Sequence, residues 1–368
     1  MKLIAASAGV VAAVMLILVQ LGIRQGAMDN SVSFTRKITA DLVVVSPRTK
    51  TIFQSAQFPR RLLYRLPAHA EVESVSEVYM SIARWKNCWE HIEFPITVYG
   101  IDPDNALLDL PGYADKKESL RLADHMVFDG LSRTTYGPVL DTLKEHGSMD
   151  TEVNQRQVHI ASSIDVGVSI GNDGNVFCTP NNFLRLFPGR IPGAIDLGLV
   201  RLKPNADPER VIQELKSFLG AEARILTRDG LVASEIQFVR QNAPVDFIFG
   251  MGTAVGFFIG FVVVYQILYT EVTNHLPQLA TMKAMGFTDG YLLRLVIWQA
   301  MILSILGYIP GFFMAIGLYE VAETQIQMPF AMTLVRAVGV FCATVLMCCL
   351  SAVIAIRKAW SADPAEVF

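Results

Sequence analysis

The sequence predicts an α-helical membrane protein with four transmembrane helices and an α+β extracytoplasmic domain inserted between helices 1 and 2. Three observations predict it. Residues 3–23, 247–270, 295–319 and 337–356 contain no Asp, Glu, Lys or Arg, and each stretch has at least 20 residues. A helix rising about 1.5 Å per residue then crosses a hydrocarbon core of about 30 Å. The spans are unevenly spaced: about 220 residues of mixed polar sequence follow the first, and the other three lie close together. Hydrophobic residues make up 52% and charged residues 18%, with a mean hydropathy of +0.38, against about 25% charged in a soluble domain.

Residues 1–23 are helix 1. Met1-Lys2 is a minimal positive start, but the apolar run of about 21 residues exceeds the 7–15 of a signal-peptide core. No small-x-small cleavage site follows Ile23, so the span is read as a retained anchor. Residues 24–245 are the extracytoplasmic domain. They hold 25 Lys/Arg and 27 Asp/Glu, a net charge of −2 with no like-charge run, so nucleic acid is not an expected partner. β-branched runs predict strands at 40–46, 94–101 and 195–202, with a weaker one at 157–166. Asp207-Pro208-Glu209 reads as a helix start, with a cap, a first-turn proline and an acid at the positive end. The helix continues over 210–219 and stops at Gly220, with Val211, Leu215, Phe218 and Leu219 as its apolar stripe. A strand at 223–227 completes a strand–helix–strand unit.

The rest divides into helix 2 (246–270), a cytoplasmic loop (271–294), helix 3 (295–319), a short extracytoplasmic loop (320–336), helix 4 (337–356) and a cytoplasmic tail (357–368). Residues 320–335 have no Lys or Arg but carry Glu320 and Glu323, whereas 271–294 has Lys283 and Arg294 and the tail opens with Arg357-Lys358. The positive-inside rule then places both termini and the 271–294 loop in the cytoplasm.

Catalytic chemistry is hard to find. The chain has no phosphate-cradling G-x-x-x-x-G-K-[ST] loop, no G-x-S-x-G elbow and no H-E-x-x-H. His69, His91, His125, His146 and His159 are scattered and read as surface or locally bonded histidines. Asp129 and Arg133, four apart, could pair on a helix face. Cys88 and Cys178 are extracytoplasmic, where a disulfide is chemically permitted, but sequence does not show that they meet. Catalytic and metal sites are therefore expected to be absent, as is any cofactor bound by this chain.

The spans say more. Gly252, Gly256 and Gly260 recur every four residues and make one smooth face for close helix approach. Gly307, Pro310 and Gly311 mark a kink or hinge in helix 3. No span holds an ionisable residue, which disfavours a proton-driven pump. In the 271–294 loop, Val272, Leu276, Leu279 and Met282 approximate a helical stripe interrupted by Pro277. Glu271, His275, Lys283, Met285 and Gly286 complete the candidate contact. A short helix across the membrane face is what a partner's groove would grip.

Several segments carry a resemblance. They are 264–286 (VYQILYTEVTNHLPQLATMKAMG), 307–311 (GYIPG), 347–351 (MCCLS) and 362–368 (ADPAEVF), with 40–47 (ADLVVVSP), 58–64 (FPRRLLY), Trp85-Lys86-Asn87 and 128–137 (FDGLSRTTYG) outside the membrane. On these the chain resembles the FtsX/MacB-type permease class of ABC transporters, and within it the DevC-like branch. One departure is that only Met1-Lys2 precede the first span, where such permeases generally have a cytoplasmic segment. That puts a membrane-surface helix there in question.

The resemblance implies an inner-membrane permease working as a homodimer with a second copy of itself, and a separate ABC ATPase that holds the ATP and Mg. It also implies a periplasmic adaptor of the membrane-fusion type and an outer-membrane exit duct. The implied work is mechanotransmission, with ATPase closure relayed through residues 269–286 to the external domain, which moves a lipid-like or amphiphilic cargo. Alternatives are a permease that extracts lipids or lipoproteins, and an FtsX-like regulator of an external enzyme.

Overall fold

The computed structural model describes residues 2–104, 107–168, 173–242, 245–326 and 331–360. The 362–368 motif lies outside the described residues, as does most of the tail. The chain forms two compact units, Met1–Ala27 with Pro244–Phe368, and Met28–Ala243. Helix α1 is Lys2–Ser31.

The Met28–Ala243 unit is built on β1 (Leu42–Val45), β2 (Phe58–Pro59), β3 (Val72–Lys86), β4 (Glu93–Ile101), β5 (His125–Asp129), β6 (Met149–Val153), β7 (Arg156–Ile164), β8 (Asn175–Cys178), β9 (Ala194–Ile195), β10 (Leu197–Leu202) and β11 (Arg224–Thr227). Nine of these form one sheet in the order β11-β1-β10-β3-β4-β8-β5-β7-β6, and β6 pairs again with the far end of β3. The strands from β3 round to β6 thus close on themselves.

The sheet buries both faces. Along β1, Leu42 and Val44 enter one core and Val43 and Val45 the other; β8 divides Val176 and Cys178 from Phe177 in the same way. A strand buried on both sides needs no polar alternation, which is why ADLVVVS reads as a continuous apolar run. The expected strand–helix–strand unit is present as β10, helix α2 (Pro208–Leu219) and β11. β1 lies between the two strands, antiparallel to each, so β10 and β11 run parallel. The Asp207 carboxylate accepts from the Glu209 N–H at 3.0 Å, and Gly220 ends the helix at φ +59°, a region that favours glycine. Val211, Leu215 and Leu219 are buried, each contributing about 1.5–3 kcal/mol. Phe218 is instead half exposed, edge-on to the His69 ring at 6.4 Å, so the stripe is narrower than its apolar residues suggest. Helix α3 (Arg228–Asn242) follows and sends Leu231 into the second core.

The Asp129–Arg133 pair is corrected. These residues are not on a helix. Asp129 ends β5, fully buried, and accepts from the backbone N–H of Val166 (2.9 Å) and Gly167 (2.9 Å) and from Asn175 Nδ2 (2.7 Å). Arg133 pairs with Asp173 at 3.1 Å.

In the other unit, α1 joins α4 (Val245–Asn274), α5 (Leu276–Ala284), α6 (Asp289–Ile326) and α7 (Leu334–Trp360). Four of these helices are long and apolar enough to cross a membrane: Ser7–Ser31, Asp246–Asn274, Asp289–Glu323 and Leu334–Arg357. The fold class read from the sequence is therefore the one observed. The unit turns large apolar side chains outward, among them Phe258, Phe313 and Val335, as a lipid-facing bundle must. Inside, polar groups join the helices. The Tyr308 hydroxyl donates to Ala337 O at 2.8 Å, that of Ser351 to Phe261 O at 3.1 Å, and that of Tyr319 to Leu18 O. Arg24 pairs with Asp246 at 2.7 Å.

Candidate functional site

The candidate site is α5 and the turn after it. Pro277 lies in the first turn of α5, where a missing N–H costs nothing, so it starts this helix rather than interrupting it. The end is equally defined. Gly286 has φ +96°, its N–H bonds to Lys283 O (3.0 Å), and Phe287 N–H reaches back to Met282 O (3.2 Å). This is a Schellman closure, which requires a left-handed residue after the helix. Lys283 then pairs with Asp289 at 2.8 Å, tying α5 to the start of α6.

The structure turns the sequence stripe of this helix toward the bundle. Leu279 is only 8% exposed, and Leu276 and Met282 pack with it against the bundle's own core beside Val272 and Leu268. The outward side carries His275, Gln278, Thr281 and Met285, the last 66% exposed. His275 Nδ1 and Gln278 Oε1 are 2.7 Å apart. Two aromatics that the sequence reading missed extend this surface: Phe287 and Tyr291 are exposed, with ring centroids 4.9 Å apart. Their signal was two aromatics four residues apart in FTDGY, which reads as an ordinary turn. Glu271 lines a crevice of about 150 Å³ between α4 and α6 with Leu268, Gln299 and Leu303.

The packing glycines meet at α1. A Cβ on Gly252 would lie 2.8 Å from Gln20 Cδ, on Gly256 3.1 Å from Leu16 Cδ2, and on Gly260 2.7 Å from the Ala13 Cβ. The GYIPG glycines serve the same partner: a Cβ on Gly307 would meet the Val10 side chain, and one on Gly311 would lie 2.9 Å from the backbone oxygen of Val11. Helix α6 continues through Pro310. Gly307 and Gly311 are thus close-approach positions, like the three in α4.

In the sheet unit several polar side chains pair locally. His69 bonds Glu214 and His159 bonds Asp150, each at 2.8 Å. Cys88 is exposed, Cys178 is buried, and both are free thiols. Burial pushes the Cys178 thiol and the Tyr136 hydroxyl well up from their ordinary ranges. The Arg156 and Arg185 guanidiniums hold the Asp124 carboxyl below its ordinary range, against a partial burial effect. Among the described residues, no group of three or more His, Cys, Asp or Glu is placed to hold a metal ion.

Residues 250–364 match the family model described as FtsX-like permease C-terminal. Solved structures similar to the chain include the periplasmic region of MacB from Actinobacillus actinomycetemcomitans. It is 14% identical, with 56% of this chain and 96% of that one covered at a TM-score of 0.38. The extracellular domain of the ABC-type transporter YknZ from Gram-positive bacteria is 10% identical, covering 51% and 99%, at 0.34. A domain of a putative permease protein from Porphyromonas gingivalis is 11% identical, covering 52% and 90%, at 0.31. No curated protein matches the chain by sequence. Over α4 to α7, the segment that holds α5, the turn after it and the glycine faces, this chain is similar to the C-terminal region of FtsX-like permeases.

Proposed function

We propose that the chain is the permease subunit of an ATP-driven ABC exporter of FtsX/MacB type, and that α5 with the 285–291 turn receives the ATPase. The observation that carries this reading is the FtsX-like match over 250–364. The segment it covers contains one short helix between two spans, with a proline in its first turn and a Schellman closure at its end, and exposed Met285, Phe287 and Tyr291 on the turn that follows. A permease without nucleotide-binding motifs needs an ATPase subunit to supply ATP and Mg. The two chains work as pairs, and motion at α5 is relayed through the apolar spans to the sheet unit. Cargo of lipid-like or amphiphilic character is handled outside the membrane and passed to a periplasmic adaptor and an outer-membrane duct.

Purification of the tagged chain from its own cells tests this. An ABC ATPase and an adaptor should co-purify, and the ATPase should hydrolyse ATP faster with the permease than alone. Recovery of the ATPase without any adaptor favours lipid or lipoprotein extraction. Recovery of an external hydrolase, with no cargo dependence, favours the regulatory reading. Absence of an ATPase overturns the proposal.

A further inference from the structure

Two histidines of the sheet unit are held in the way that metal-bound histidines are held. β5 and β7 run parallel with His125 opposite His159, and β6 runs antiparallel to β7 with Asp150 opposite His159. Directly paired residues turn their side chains to the same face of a sheet. His125, His159 and Asp150 therefore form one row across three strands. On β6 and β7 this face is opposite to the one that sends Met149, Val158 and Ile160 into the core. The two imidazole centroids are 4.5 Å apart, and both rings are half-buried.

Each ring is fixed through Nδ1. His125 Nδ1 lies 2.9 Å from Ala123 O, and His159 Nδ1 lies 2.8 Å from Asp150 Oδ1. A carbonyl oxygen and an ionised carboxylate only accept, so both rings carry the proton on Nδ1 and the lone pair on Nε2. Neither Nε2 has a hydrogen-bond partner among the described residues. His159 turns Nδ1 toward β6, which leaves Nε2 on the side of β5 and His125. His125 turns Nδ1 in to its own backbone, which leaves Nε2 outermost. Two unprotonated nitrogens side by side present a bidentate site for a cation. Metal-bound histidines almost always donate their other N–H to a backbone carbonyl, a carboxylate or water, and this pair has one each of the first two. A ring nitrogen binds zinc at about 2.0–2.1 Å, so two on one ion stand about 3–4 Å apart, within reach of rings at this separation. The reading of these residues as locally bonded histidines holds only for Nδ1. The row was not legible in the sequence because strand register alone makes its members neighbours.

The surroundings select the ion. One Asp150 oxygen is engaged by His159, and Asp124, beside His125, is paired with both Arg156 and Arg185. No set of free carboxylates remains for calcium or magnesium, which require several oxygen ligands. Imidazole suits zinc, copper and nickel. We infer that His125 and His159 bind one divalent late transition-metal ion through their Nε2 atoms, with water in the remaining positions. Asp150 is a positioning residue that fixes the His159 tautomer. The site needs no ATPase, no cargo and no second chain, so it stands apart from the permease reading.

The test is calorimetric titration of zinc chloride into the full chain in lipid nanodiscs, free of any polyhistidine tag, with empty nanodiscs subtracted. A Cys88→Ser background removes the exposed thiol, which also takes zinc. One zinc per chain should bind saturably, with calcium at least about tenfold weaker. His125→Asn and His159→Asn should each weaken zinc by at least about tenfold, and Asp150→Ala by about tenfold, the lower end of the cost of losing such a partner. Asp150→Asn keeps an acceptor for Nδ1–H and should restore most of that loss, while His146→Asn should bind as the parent does. Diethyl pyrocarbonate, which modifies free imidazole nitrogens, needs no variant: zinc should protect His125 and His159 and leave His146 open. No saturable zinc binding, calcium binding as tightly, parental affinity in either folded histidine variant or in Asp150→Ala, or equal protection of His146 overturns the inference.

Discussion

Glu235 is a carboxylate whose surroundings oppose its charge. It is buried, accepts from the Ile52 N–H at 2.7 Å and from the Thr35 hydroxyl, and burial outweighs both bonds to raise its pKa above the ordinary glutamate value. Between the ordinary and the raised value the folded chain binds more protons than the unfolded one, so stability falls as pH rises through that window. Below it both states are protonated and nothing is lost. Glu235→Gln keeps an acceptor for Ile52 and removes the titration. The variant should therefore match wild type at pH 4 and be the more stable at pH 7, as read by thermal unfolding; a gap that shrinks with rising pH would refute this. Gly311 and Gly317 make a matched pair on one helix. A Cβ on Gly311 meets a backbone oxygen, which cannot step aside, while one on Gly317 meets nothing within 4 Å. Gly311→Ala should destabilise the bundle by about 1–3 kcal/mol through overpacking, whereas Gly317→Ala should be neutral or up to about 1 kcal/mol stabilising through helix propensity. Equal melting temperatures for the two variants would show that α1 does not pack there. The glycine spacing in α4 was legible because a four-residue repeat lies on one helix face. Asp129 was not, since its partners at 166, 167 and 175 are brought to it only by the sheet.

At the scale of elements, α5 turns Leu279 into the bundle core, while Met285 and Phe287 on the turn after it face outward. Leu279→Asp places a charge in the bundle core, a cost of several kcal/mol, and should lower folded yield and melting temperature before any partner is added. Met285→Asp and Phe287→Asp change only the outer side. They should leave the melting temperature within about 0.5 kcal/mol of wild type and abolish stimulation of the partner ATPase, since apolar anchors dominate such contacts. If Met285→Asp and Phe287→Asp stimulate normally, the docking surface is elsewhere. The stripe was visible in the sequence, but periodicity shows only that a helix has an apolar side. It does not distinguish the chain's own core from a partner's groove. The same limit hid β3. Its VESVSEVYMSIARWK places Ser76 and Glu77 in buried positions, and Glu77 is accommodated only because Arg60, from a distant segment, pairs with it. Strands without such polar insertions, β1, β4 and β10, could be read directly.

For the whole molecule, the charge asymmetry of the loops predicts that the sheet unit and α5 lie on opposite sides of the membrane. Asn172, a natural labelling position for the external side, lies outside the described residues; His146 is exposed in the same unit. In a Cys88→Ser background, a membrane-impermeant maleimide added to spheroplasts should modify His146→Cys and leave Thr288→Cys untouched until the membrane is opened. Modification of Thr288→Cys alone would invert the topology. The glycine contacts on α1 carry one more consequence. Five glycines from two other helices accept its side chains and backbone, so its surface is shaped as well as greasy. Any apolar run of similar length would leave the translocon and stay in the bilayer. A chain with residues 7–23 replaced by leucine would therefore be inserted, retained and correctly oriented, yet its first helix would drift beside the other three instead of docking. The N-terminal helix is a key cut for one lock, and a generic anchor cannot turn it.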